Sequence, residues 1–128
     1  MTAGSPLVGG VDFVTVPTKD FDRAVEFYGT VLGLPNPVRY GSMPGAEFET
    51  GNLTLAVLEI ARFGGTFAPS TSAVALRVDD VAARRAELEG QGIEFEGEIV
   101  DSGVCHQAYF KDPDGNPLIL HHRYAPRE

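Results

Sequence analysis

Residues 11–32 read VDFVTVPTKDFDRAVEFYGTVL, and residues 73–90, AVALRVDDVAARRAELEG, repeat their plan. Val11 to Val16 is rich in β-branched and aromatic residues and predicts a strand. Asp20 is placed to cap a helix. Asp22 and Glu26 put negative charge in its early turns, where the helix dipole favours it. Ala24, Phe27, Val31 and Leu32 recur near 3.6 residues, so the helix runs over 21–32. Gly33 ends it, and Pro35 and Pro37 bar its continuation. In the second stretch, 73–78 predicts a strand, and Asp79 or Asp80 caps a helix over 81–89 that stops at Gly90 and Gly92. Superposing the two sets Asp20 on Asp80 and Val14 on Val74, an offset of 60.

Three strands follow each helix. They are expected near 38–43, 46–50 and 53–59, with turns at Gly41 to Gly45 and at Gly51-Asn52, then near 93–99, 104–111 and 117–123. Asp112-Pro113-Asp114-Gly115-Asn116 makes the last turn. The chain is therefore an α+β protein built from two βαβββ modules, about 8–61 and 72–124. A linker rich in Gly, Ser, Thr and Pro covers about 62–71. Modules of roughly 60 residues are marginal alone, so the two should share one core within a single domain, 1–128. Helices then cover one side and a cleft forms on the other.

Three stretches together resemble the vicinal oxygen chelate superfamily of glyoxalases, bleomycin-resistance proteins and extradiol dioxygenases. The first runs from Val14-Thr15-Val16-Pro17 through Asp20 to Tyr28 and on to Leu32-Gly33-Leu34. The second is Val74 to Asp80, and the third is Ala108 to Leu118 with its Asp-Pro-Asp-Gly turn. The resemblance spans nearly the whole chain in family order. It implies a curved eight-stranded mixed sheet around a cleft, with the helices on the outer face. These stretches build scaffold and carry no chemistry of their own.

Metal-dependent relatives place one His or Glu ligand on each of four strands. Residue by residue, the resemblance sets those positions on Phe13, Ala56, Ala73 and Ile119. Carbon side chains have no lone pair to give, so no metal and no other cofactor is expected there. Strand alternation instead groups Phe13, Thr15, Thr54, Ala56, Ala73, Tyr109 and Ile119 on a largely apolar cleft surface, the usual lining of an organic-ligand site. If Phe110 pairs with Leu118 across the last hairpin, Tyr109 opposes Ile119 and Gln107 opposes His121 on the same face. Arg77 shares that parity near the rim. His121 is then the one candidate for acid–base work, since imidazole titrates near neutrality. His106 and His122 face the other way.

Other chemistry is thin. Glu47, Glu49 and Glu59 have suitable donors for a displaced metal, but no spacing supports one. Cys105 stands beside His106, and adjacent strand residues point apart, so a structural cysteine is the better reading. A single cysteine allows no internal disulfide.

The chain has 128 residues and a net charge of −8, from 18 acids against 10 Lys and Arg. That argues against nucleic acid and anionic membranes as partners. No apolar run reaches the roughly 20 residues of a membrane span, and residues 1–10 lack the pattern of a leader, so the expected compartment is the cytoplasm. Three functions compete: a metal-free small-molecule binder, similar to the bleomycin-resistance branch and able to attract a bulky cationic ligand; an enzyme using His121 or relocated ligands; and a structural or regulatory dimeric module. The binder is preferred, and the resemblance implies a homodimer.

Overall fold

Strand β1, Phe13–Thr18, opens the first module, two residues later than the sequence predicts. The Thr18 hydroxyl donates to the Asp20 carbonyl and accepts from its N–H, both at 3.0 Å, and so turns the chain. The Asp20 carboxylate then caps helix α1, Phe21–Glu26, accepting from the Arg23 N–H at 3.2 Å. From Phe27 to Val31 the helix widens into a π turn, and the Leu32 N–H donates to the Phe27 carbonyl five residues back. Gly33, at φ 75°, ends it as expected. The structure is a computed structural model that describes residue 4 and residues 6–127. The expectation about a leader over residues 1–10 falls partly outside them.

Strand β2 is only Val38–Arg39, shorter than expected. The reason is a turn that starts early: the Met43 N–H donates to the Tyr40 carbonyl, and the Tyr40 N–H to the Gly45 carbonyl. Strands β3, Gly45–Glu49, and β4, Thr54–Glu59, follow. A 3-10 turn, Ile60–Phe63, leads from the first module into the expected linker.

The second module repeats this order with β5, Val74–Arg77, and α2, Val81–Gly90. Asp80 is the cap, accepting from the Ala83 N–H at 3.0 Å, while Asp79 pairs with Arg84. Strands β6, Phe95–Asp101, β7, Cys105–Lys111, and β8, Pro117–Arg123, complete it. A register shift between Glu96 and Val100, with Gly97 at φ 71°, marks an irregularity in β6.

The eight strands hydrogen-bond as two four-stranded sheets, ordered β1-β4-β3-β2 and β5-β8-β7-β6. Each is mixed: β1 pairs parallel with β4, β5 parallel with β8, and the rest are antiparallel. The edge strands β1 and β5 adjoin without a ladder, around a small crevice lined by Val14, Val16, Val74 and Leu118. Both modules feed one core. Phe27, Tyr28, Phe48 and Leu55 from the first pack in the same cluster as Leu88, Phe110, Leu118 and Leu120 from the second.

The last hairpin fastens the modules together. Its Asp112 carboxylate accepts from the Tyr28 hydroxyl at 2.6 Å. Asp114 accepts from the Lys19 N–H at 3.0 Å, and Asn116 donates to the Pro17 carbonyl at 2.8 Å. All three hairpin residues are buried.

Candidate functional site

Side chains alternate across each strand, so the core residues fix which face is left without helices. Val16, Ala46, Phe48, Leu55 and Val57 are buried from the first sheet, and Ala108, Phe110, Leu118 and Leu120 from the second. The opposite parity forms a helix-free face. It carries Phe13, Thr15, Thr54 and Ala56 on the first sheet, and Arg77, Gln107, Tyr109, Ile119 and His121 on the second. Ala73 directly precedes β5 and is exposed.

Register arranges these residues in rows. On the first sheet, Phe13 lies against Thr54 and Thr54 against Glu49; Thr15 lies against Ala56 and Ala56 against Glu47. On the second, Ala75, Ile119 and Tyr109 form an apolar row, and Arg77, His121 and Gln107 a polar one. The hairpin register is the one expected from the sequence. The Tyr109 hydroxyl donates to the Gln107 side-chain carbonyl, which joins the two rows. Phe13, at the free edge of β1, is 57% exposed, whereas Ala56 is buried.

Two carboxylates belong to this face more closely than sequence reasoning placed them. Glu47 accepts from the Tyr40 hydroxyl at 2.6 Å, and Glu49 from the Thr54 hydroxyl at 2.5 Å. Partial burial and the bond to Glu47 push the Tyr40 phenol up to about 12. Tyr40 reaches that position over Gly45, where any Cβ would fall 2.5 Å from its ring. That missing Cβ was the available signal. Glu59 faces elsewhere, accepting from the Phe21 N–H at 3.1 Å.

A metal of the kind that the resemblance implies does not fit the residues present. Phe13, Ala56, Ala73 and Ile119 offer carbon, and among the described residues no three His, Cys, Asp or Glu side chains gather as a donor set. His121 is flanked across its strand by Arg77 and Gln107, neither of them a usual ligand. His122 places Nδ1 3.1 Å from the Val78 carbonyl, and His106 lies 3.4 Å from Asp101.

Next along the face, Cys105 stands opposite Arg123. Its sulfur lies 3.0 Å from the Ser102 hydroxyl and accepts from the Gln107 amide at 3.4 Å. These contacts, with the charge of Arg123, hold the thiol below its ordinary value. His106 lies on the other parity, as expected.

A cavity of about 640 Å³ lies beside this face, and of the expected site residues Arg77 and His121 line it. No helix among the described residues is long and apolar enough to cross a membrane.

Comparison with known proteins agrees with this geometry. The profile of the Glyoxalase/Bleomycin resistance protein/Dioxygenase superfamily matches residues 10–120. No curated protein matches the chain in sequence. Among solved structures, SMU.1112c is 28% identical with a TM-score of 0.73, covering 90% of this chain and 99% of its own. TnmS3, an antibiotic binding protein from Streptomyces sp. CB03234, is 24% identical with a TM-score of 0.74 and coverages of 93% and 99%. A lactoylglutathione lyase from Agrobacterium tumefaciens is 18% identical with a TM-score of 0.74 and coverages of 91% and 95%. At those last two identities the likeness is one of fold.

Proposed function

The chain belongs to the glyoxalase/bleomycin resistance protein/dioxygenase superfamily, and from that premise we propose that it is a metal-free small-molecule binding protein. The ligand lies on the helix-free face. One observation carries the reading: Phe13, Ala56 and Ile119, three of the four positions that the resemblance sets for metal ligands, lie on the same face as Tyr109, and the fourth, Ala73, directly precedes β5. Such a surface binds by apolar burial and ring stacking. Glu47 and Glu49 on the same face favour a ligand with cationic character. That one structural neighbour is an antibiotic binding protein supports the same class.

Leu7, Val8, Val11 and Phe13 leave a line of exposed apolar side chains into the free edge of β1. A two-fold homodimer covers such a line, and this reading includes one, acting in the cytoplasm. Light scattering coupled to size exclusion tests the dimer. The ligand is tested by thermal shift against bulky cationic glycopeptides and aromatic metabolites. A rise in Tm that is lost in Phe13→Ala is expected, and a flat panel overturns the reading.

The row Arg77–His121–Gln107 favours one alternative, an enzyme in which His121 moves a proton and Arg77 polarises a carbonyl. In that case His121→Ala abolishes turnover while ligand still binds.

A further inference from the structure

A cavity of about 640 Å³ lies between the modules, on the side that carries α2 and the end of the first helix. Small-molecule sites run to roughly 300–1,000 Å³. Its floor is apolar: Leu34, Leu53 and Leu55 from the first module, and Leu76, Leu88 and Leu120 from the second. Because β5 is an edge strand, the cavity passes its free edge and takes Leu76 from one of its faces and Arg77 from the other.

The rim reverses the charge of the molecule. The chain has 18 acids against 10 Lys and Arg. Yet Arg77, Arg84, Arg123, Arg127, His121 and His122 line this one cavity, with Glu87 as its only acid among the described residues. Arg84 is already paired with Asp79 and Glu87. Arg77, Arg123 and Arg127 form no ion pair with any described acid. The Nε of Arg123 is buried and has no hydrogen-bond partner among the described residues. A buried guanidinium N–H without an acceptor is costly, and an anion delivered to it removes that cost.

We propose that this cavity binds an amphipathic organic carboxylate, its apolar body on the leucines and its carboxylate on Arg123 and Arg77. The leucines supply non-directional burial. The arginines supply planar donors matched to a carboxylate, and they select the anion over a neutral molecule of the same shape. The site shares Arg77, His121 and Arg123 with one end of the helix-free face, but its leucine floor lies on the helix side, and the proposal does not depend on the reading given for that face.

Octanoate and its neutral counterpart octanamide are titrated into the full chain by calorimetry. Octanoate is expected to bind at least tenfold more tightly than octanamide. The double variant Arg77→Gln/Arg123→Gln is expected to lose at least tenfold in octanoate affinity. Amide chemical shifts in the native protein give a readout that needs no variant: octanoate should move Leu53, Leu76 and Leu88. No octanoate binding, or equal affinity for the amide, overturns the proposal. Shifts confined to Phe13, Thr15 and Ile119 also overturn it, while leaving a ligand on the helix-free face in place.

Discussion

The phenol of Tyr28 donates a 2.6 Å hydrogen bond to the carboxylate of Asp112, 84 positions away in the chain. The same carboxylate accepts from the Asp114 N–H, the Asn116 N–H and the Asn116 amide at 2.7–2.9 Å. Burial first, and then the charge of Asp112, push the Tyr28 phenol well above its ordinary value.

Tyr28→Phe removes one donor from a buried carboxylate and should cost about 1–3 kcal/mol, read from urea unfolding. It also changes the alkaline limb. A phenol raised in the folded state contributes stability that is complete below its unfolded value of about 10 and is lost as pH rises above it. Wild type should therefore lose stability more steeply than Tyr28→Phe above about pH 10. Tyr40 and Tyr124 are shifted the same way but are present in both proteins, so they cancel in the comparison. Parallel alkaline limbs would refute the assignment.

Asn116 holds three elements at once. Its amide donates to the Pro17 carbonyl and to Asp112, and its carbonyl accepts from the Ser70 N–H at 2.7 Å. Asn116→Ala orphans partners in β1 and the linker, each at about 1–3 kcal/mol. Asn116→Asp keeps the acceptor but sets a second charge beside Asp112, so it should unfold at least as easily as Asn116→Ala. An Asn116→Asp protein as stable as wild type would contradict this account.

The two caps offer a test of the repeat. Asp20→Ala and Asp80→Ala should each cost about 1 kcal/mol. The double variant should equal their sum within about 0.5 kcal/mol, because the caps share no partner. Asp79→Ala should cost less than either, since its pair with Arg84 is exposed. Reversal of that order would place the cap at Asp79.

Cys105 is 5% exposed, so its alkylation should be slow. The pH profile of that reaction reports the thiolate. Because the Ser102 hydroxyl, the Gln107 amide and Arg123 hold the thiol down, the midpoint should fall below the roughly 8.5 of a free thiol. Ser102→Ala should move it upward. An unchanged midpoint would remove Ser102 from the explanation.

Local chemistry made much of this molecule legible in advance. Asp20, Gly33 and the 112–116 turn each act within a few residues, so spacing alone located them, whereas it left the second cap open between Asp79 and Asp80; period-two alternation gave the face shared by Tyr109, Ile119, Gln107 and His121. The π turn at Phe27–Val31 was hidden because Phe27, Val31 and Leu32 fit helical spacing whether or not the helix widens. The bonds of Asp112 and Asn116 to Tyr28 and Pro17 were hidden because nothing local marks a partner 84 or 99 positions away. The cavity between Leu34 and Leu88 was hidden for the same reason, since its walls come from both modules.

The hairpin latch also sets an order on biosynthesis. A ribosome adding roughly 5–20 residues per second makes Asp112 several seconds after Tyr28. Throughout that interval water stands in for Asp112 at the Tyr28 hydroxyl and for Asn116 at the Pro17 carbonyl. The nascent N-terminal half therefore keeps these groups solvated until the last hairpin arrives. Vectorial synthesis cannot finish the first half before the second, and a chain truncated ahead of that hairpin lacks both of these partners.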